Sequence, residues 1–324
     1  MKKGKFIVKS FRNTTISSLI DVVKKVKKQT KKKFVLFDIL YCAIKYQAAF
    51  HDYLEFEFYL LNNTQRKTYL TNGKNNEIVK MFNDKNFWHI IDNKNEFNDY
   101  FKKYLKRDYL NPNFTKEELY KFIQNKDKII VKPVNGIGGE GIEIIDTKKN
   151  DIYEKYGTYL LEEVITQHPK LNELYPKSVN SLRIFTFFDG KDSHLLQVIL
   201  KIGNKEVVDN FSSGGMYAFL DDNGTVMTPA IDKDDNFYGV HPTSKKQILG
   251  FKVPMFNEVI ELALNAAKEI EQIKYIGWDI AITSNGPCII EGNSYPGIYQ
   301  IKPRFDKNKT GILPKYEKIM KIKL

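Results

Sequence analysis

The sequence predicts an α+β fold with a helical N-terminal extension, and three observations carry that prediction. β-branched runs flank a glycine-rich turn at 131–145. Later apolar runs at 181–203 and 275–293 are split by tight polar turns, as in antiparallel hairpins. Residues 1–70, by contrast, are aromatic-rich and carry helical patterns. With 324 residues the chain is long enough for two or three subdomains around a sizeable core. A content of 42% hydrophobic and 13% aromatic residues excludes a disordered chain.

The elements follow in order. ISSLIDVVKKVKK, residues 16–28, is an amphipathic, basic helix of the kind that can rest on a membrane surface. FVLFDILYCAIKYQAAF, residues 34–50, is too short to span a bilayer and holds Asp38, Lys45 and Gln47, so it predicts a buried helix. Asn62 and Asn63 mark a helix break, and residues 71–113 alternate short helical patterns with polar turns. Thr115 before Lys116, Glu117 and Glu118 forms a capping box that starts a helix. After the glycine turn, TYLLEEVITQH at 158–168 begins as a strand and ends polar. Two strands then meet at Asp189-Gly190, and a hairpin turns at Asp222-Asn223-Gly224. Val259, Leu262, Ala263, Ala266 and Ile270 fall at helical spacing, and YIGWDIAIT and CIIEGN form the last two strands.

Composition excludes several function classes. Cys42 and Cys288 sit in apolar runs with no metal-type spacing, which argues against a disulfide framework or a zinc site. MKKGKFIVKS lacks the apolar core and cleavage site of a signal peptide, so a cytoplasmic location is expected. The net charge of +12 could draw nucleic acid, anionic lipid or phosphorylated substrates, but the lysine runs read first as a solvated surface. No RRM, zinc-finger or basic-zipper signature supports nucleic-acid binding. The histidines, His51, His89, His168, His194 and His241, are scattered without a nucleophile–base pattern.

VKPVNGIGGEGIEII poses the central question. Gly136, Gly138, Gly139 and Gly141 lie in a G-x-G-x-x-G-like spacing, yet a Rossmann turn needs a helix immediately afterwards. Ile142-Glu143-Ile144-Ile145 instead reads as a strand, and no Walker Gly-Lys-Ser/Thr ending is present. Strand, glycine turn, strand is either a flexible hairpin or a phosphate cover whose backbone N–H groups face the ligand. Lys132 on the incoming strand is placed like a phosphate counter-charge.

Further signals lie on both sides. Glu162 and Glu163, followed by Val164 and Ile165, close a strand; such an end is either a solvated edge or a place to pair with the edge of an adenine. Asp279, Glu291 and Asn293 fall on two strands of one hairpin, with Glu291 and Asn293 sharing a face. Acids among apolar neighbours are costly to bury unpaired, so they are either ion-paired across the strands or ligands of a hard cation such as magnesium. Lys85, Lys132, Arg183 and Lys201 are cations that suit phosphate or a developing oxyanion, or simply the surface.

This order of motifs resembles the ATP-grasp superfamily, from about Asn83 to Ile301 and most specifically at GWDIAITSNGPCIIEGNSYPG. DILYCAIKY and DYLEFEFYLLNNTQRKTYL also look like its sugar-transfer-associated branch, found among genes for surface polysaccharides. The resemblance implies two α+β subdomains gripping ATP: residues 71–165 with the glycine hairpin and 166–324 with the metal site, after a helical region at 1–70. It implies Lys85 and Lys132 as the phosphate lysines, Gly136 to Gly141 as the closing loop, and Glu162 to Ile165 as the adenine hinge. It further implies Asp279, Glu291 and Asn293 as magnesium ligands and Arg183, with Lys201 beside it, at the reacting centre. The loop Asp209 to Gly215 falls where the acceptor usually sits. Ser181 departs from the pattern, since many relatives carry an acid two residues before the arginine.

The implied activity is an ATP- and magnesium-dependent carboxylate–amine ligase acting through an acylphosphate, on sugar-acid or amino-acid substrates of cell-surface polysaccharide. The alternatives are phosphoryl transfer to a hydroxyl acceptor, or a nucleotide-binding protein without turnover.

Overall fold

A computed structural model describes residues 16–30, 33–134, 141–149, 151–204, 211 and 214–324. The chain forms two compact units, Met1–Phe82 with Gly297–Leu324, and Asn83–Pro296. The last segment returns to the first unit. Gln300 accepts from the Leu70 N–H at 3.0 Å and donates to its carbonyl at 2.7 Å, and the Leu313 N–H donates to the Thr68 carbonyl at 3.0 Å.

The first unit is helical, as its patterns predict: Ile16–Gln29, Val35–Tyr46, Phe50–Glu55, Asn63–Arg66, Asn72–Phe82 and Leu313–Met320. Val22, Val26, Val35, Ile39, Tyr46, Tyr53, Phe58 and Tyr69 pack as its core. Asn62 accepts from the Gln65 N–H at 2.9 Å while Gln65 accepts from the Asn62 N–H, so the predicted break is a helix start. Arg66 forks onto both Asp38 oxygens at 2.7 and 2.6 Å and reaches the Phe58 carbonyl. The helix expected to be buried is only half so: Val35, Ile39 and Cys42 face the core, whereas Phe34 and Phe37 are 73% and 71% exposed. Its apolar residues ring the helix on both sides, so periodicity did not mark an inner face.

The second unit holds two antiparallel sheets among the described residues. The smaller comprises β1 (Tyr109–Leu110), β2 (Lys128–Pro133), β3 (Glu143–Asp146) and β4 (Tyr159–Glu163), in the order β1-β4-β2-β3. β2 pairs antiparallel with β3, so the glycine run does lie between two hairpin strands rather than before a helix. The predicted capping box is present, with Thr115 and Glu118 bonding each other's N–H groups. It starts Lys116–Ile123, whose Leu119 and Phe122 pack with Ile129 and Val131.

The larger sheet comprises β5 (Leu182–Phe188), β6 (Ser193–Ile202), β7 (Met216–Phe219), β8 (Ala230–Asp232), β9 (Phe237–Tyr238), β10 (Tyr275–Thr283) and β11 (Gly286–Asn293). Its order is β11-β10-β5-β6-β7-β8-β9. Turn chemistry sets the hairpins: Gly190, Gly224 and Gly286 all take positive φ, of 101°, 77° and 110°. Helix Phe256–Ala266 covers this sheet, and Trp278 is buried against Phe101 at 5.3 Å between ring centroids. No helix among the described residues is long and apolar enough to cross a membrane.

Candidate active site

A row of charge crosses three neighbouring strands. Register pairs Arg183 on β5 with Asp279 on β10, and Asp279 with Glu291 on β11. Directly paired residues point to the same face, so the three side chains stand side by side. The Arg183 guanidinium holds both Asp279 oxygens, with Nη2–Oδ2 at 2.7 Å, and Lys201 Nζ reaches Oδ2 at 3.2 Å. Gly277 makes room for this: a Cβ there would lie 2.9 Å from Pro296 and 3.4 Å from Arg183 Cδ. Burial opposes the charge of Asp279, but Arg183 and then Lys201 outweigh it and hold the carboxyl below its usual range. Burial, and next the Asp279 charge, push the Glu291 carboxyl up. Asn293 donates to the Gly277 carbonyl at 3.3 Å.

A second cluster forms around Glu162. This buried carboxylate accepts from Lys132 Nζ at 2.5 Å, Arg107 Nη2 at 3.0 Å and Asn98 Nδ2 at 2.8 Å. Burial opposes its charge, but Arg107 and then Lys132 hold it well below the usual carboxylate range. Arg107 also donates to the Ile289 and Ile290 carbonyls and so ties this cluster to β11.

The two clusters meet at a cavity of about 290 Å³, lined by Lys94 and Asn98 from helix Lys94–Tyr100, Lys132 from β2, Glu162 from β4, and Glu291 and Asn293 from β11. Gly292 lets that helix approach β11, since a Cβ there would meet Phe97 at 2.9 Å.

The sequence-predicted residues take different places. Lys132, Glu162, Glu291 and Asn293 line the cavity, and Arg183, Lys201 and Asp279 form the charged row beside it. Glu163 bonds the Asp108 N–H at 3.1 Å, and Val164 and Ile165 are half-buried just past β4. Gly141 has φ of 72°, with Pro133 at 2.8 Å from where its Cβ would be. Gly136, Gly138, Gly139 and most of the loop from Asp209 to Gly215 lie outside the described residues.

Two of the expected residues stand apart from the others. Lys85 is exposed on a short helix, with Nζ 5.5 Å from the Trp88 ring centroid, and does not line the cavity. Lys94 does, and burial lowers its pKa while Glu291 opposes that effect. Glu162 was expected at an adenine edge, but its oxygens are engaged by Lys132, Arg107 and Asn98. Lys94, Arg107 and Asn98 were missed by sequence reasoning, because each lies in a stretch that reads as a polar turn or an ordinary helix.

Oxygen donors on Glu291 and Asn293, with Asp279 adjacent, suit a hard cation such as magnesium. No group of three or more metal-type acids, histidines or cysteines occurs among the described residues. A divalent ion here would therefore complete its shell with phosphate or water oxygens, which is how magnesium usually binds beside nucleotides.

Two antiparallel sheets contribute to one charged cavity, lined by Lys94 and Lys132 together with Asp92, Glu162 and Glu291, and the fold is that of an ATP-grasp protein. The model of the sugar-transfer associated ATP-grasp family matches residues 154–321, and the chain belongs to that family. Among solved structures it is similar to a D-alanine–D-alanine ligase from Bacillus anthracis, at 15% identity and TM-score 0.38, over 65% of this chain and 59% of that one. It is also similar to an N5-carboxyaminoimidazole ribonucleotide synthetase in its ADP complex, at 11% identity and TM-score 0.45, over 72% and 52% of the chains. A third similar structure is the ATP-grasp ligase PsnB with a precursor peptide and AMPPNP, at 15% identity and TM-score 0.41, over 67% and 54%. The match thus spans about half the length of these structures. No curated protein matches the chain.

Proposed function

We propose that this protein is an ATP- and magnesium-dependent carboxylate–amine ligase that works through an acylphosphate in cell-surface polysaccharide assembly. The observation that carries this reading is one cavity lined by Lys132 and Lys94 and also by Glu291 and Asn293. The cations suit phosphate, and the oxygen donors suit its counter-ion. The family's association with sugar transfer supports the polysaccharide setting.

A carboxylate oxygen would take the γ-phosphoryl group, releasing ADP, and an amine would then displace phosphate to form the amide. A bound divalent ion would offset phosphate charge. Lys132, oriented by Glu162, and Lys94 would bind the phosphates. Arg183, fixed in plane by Asp279, would face charge developing at the acyl centre, with Lys201 beside it. Gly136 to Gly141 would cover the phosphates, and Val164 and Ile165, past the end of β4, would offer backbone groups to the base.

The test is phosphate release with ATP and magnesium over a panel of uronic acids crossed with amino acids and simple amines, with products read by mass. Phosphate that requires both partners, and a product equal to their sum less water, is the expected result. Glu291→Gln should abolish it. A product heavier by one phosphoryl group, formed without an amine, would overturn the ligase in favour of a kinase.

A further inference from the structure

The first unit carries a surface that the ATP site does not use. In helix Ile16–Gln29, Val22 and Val26 are buried in the core and Val23 packs against it, whereas Ile20 is 49% exposed. Its Lys24, Lys25, Lys27 and Lys28 are exposed. The adjoining helix Val35–Tyr46 supplies an apolar face. Phe34, Phe37, Tyr41 and Ile44 follow one another at spacings of three and four residues, all exposed, while Val35, Ile39 and Cys42 face inward. Phe34 and Phe37 pack edge to face at 6.3 Å, the most exposed large apolar residues of the unit.

Charge on these helices is mainly positive. Lys24, Lys25, Lys27, Lys28 and Lys33 are exposed and Lys45 lies on the second helix, against Asp21 and Asp38 as the acids of the sequence from 16 to 46. Asp38 is bound by Arg66. Aromatic and aliphatic side chains that enter the headgroup boundary, flanked by lysines that stay at the phosphates, match an anionic bilayer in both respects.

We propose that Phe34, Phe37, Tyr41 and Ile44, with the lysines of Ile16–Gln29, dock this protein on an anionic phospholipid surface. The apolar side chains insert, and the lysines select phosphatidylserine-type headgroups over neutral ones. This inference does not depend on the ligase reading.

The experiment is flotation of the full chain with vesicles of phosphatidylcholine alone, or with about one third phosphatidylserine. Wild-type protein is expected to bind the anionic vesicles at least about tenfold better, and to lose that preference in high salt. Phe34→Ser with Phe37→Ser, and separately Lys24→Glu with Lys27→Glu, should each remove binding. Both pairs are exposed, so circular dichroism melts should match wild type. Equal binding to both vesicle types, no binding by wild type, or full binding by the phenylalanine variant overturns the proposal. So does a concentration-dependent dimer that the phenylalanine variant dissociates, without vesicle binding, which assigns the face to a second copy. Cross-links from residues 1–15 onto this face, again without vesicle binding, would assign it to the chain's own first residues and overturn it equally.

Discussion

Arg183 and Asp279 are register partners on β5 and β10, and the guanidinium closes on both carboxylate oxygens, with Nη2–Oδ2 at 2.7 Å. Both side chains are buried, at 9% and 4% exposure. The pair is therefore structural, whatever part it takes in the proposed chemistry. Removing one partner leaves a charge that the interior does not solvate.

Arg183→Ala is expected to cost about 3 kcal/mol of stability, the scale for breaking a buried ion pair. Lys201 keeps part of the compensation, since its Nζ still lies 3.2 Å from Asp279. Arg183→Lys keeps the charge but loses the two-pronged geometry, so it should recover stability more than turnover. Urea unfolding and phosphate release on the same preparations check both parts. Loss of ATP affinity with normal turnover in Arg183→Lys would count against a role at the acyl centre.

Glu162 gives a pH dependence whose sign is fixed. Its folded-state pKa lies below the ordinary value of 4.5, because Arg107 and Lys132 outweigh burial. The stability it adds is fully present above pH 4.5 and is lost as pH falls below that value toward the folded-state pKa. Glu162→Gln removes this contribution and leaves two buried cations facing an amide, at a cost of about 3 kcal/mol near neutral pH. Unfolding followed from pH 7 to pH 3 should show the variant's deficit shrinking in the acid range. A deficit independent of pH would mean that packing, and not charge, is what Glu162 supplies.

Lys94 and Lys85 separate two versions of the proposed phosphate site. Lys94 lines the cavity beside Lys132, whereas Lys85 rests over Trp88. Lys94→Ala is expected to weaken ATP binding by about tenfold, the effect of losing roughly one charge-assisted contact. Lys85→Ala should weaken it less. Calorimetric titration of ATP into each variant ranks them, and the reverse order would return the role to Lys85.

The parts of this site legible in the sequence were those set by local geometry. Glu291 and Asn293 share a face because strands alternate, and the β10–β11 hairpin was readable from the turn around Gly286. What stayed hidden depends on distant docking. Arg107 and Asn98 reach Glu162 from 55 and 64 residues away, and neither neighbourhood announces a partner. The choice between Lys94 and Lys85 rests on how closely one short helix packs over Gly292, a contact that no periodicity encodes. The exposure of Phe34 and Phe37 was hidden for another reason: a helix apolar on both sides does not say which side is covered. The return of the C-terminal segment was equally invisible, since its bonds to residues 57–70, through Gln300, Arg304, Gly311 and Leu313, span more than 200 positions of sequence.

That glutamine is the most economical test of the first unit. Gln300 is 3% exposed and clamps the Leu70 backbone from both sides, with its Oε1 also accepting from the Ile312 N–H at 3.1 Å. Alanine here leaves two N–H donors and one carbonyl without their partner in a buried place. Gln300→Ala is therefore expected to lose about 3 kcal/mol, since each unsatisfied buried group costs roughly 1–3 kcal/mol and the groups share one site. Gln300→Glu keeps the accepting oxygen but replaces the donor to the Leu70 carbonyl with a second acceptor, so it should be at least as damaging near neutral pH. Hydrogen exchange at Leu70 and Ile312 locates the effect: both amides should lose protection, while those of β10 and β11 keep theirs. Unchanged protection at Leu70 would show that the bonds of Gly311 and Leu313 to Thr68 and the Arg304–Glu57 pair hold the segment without Gln300.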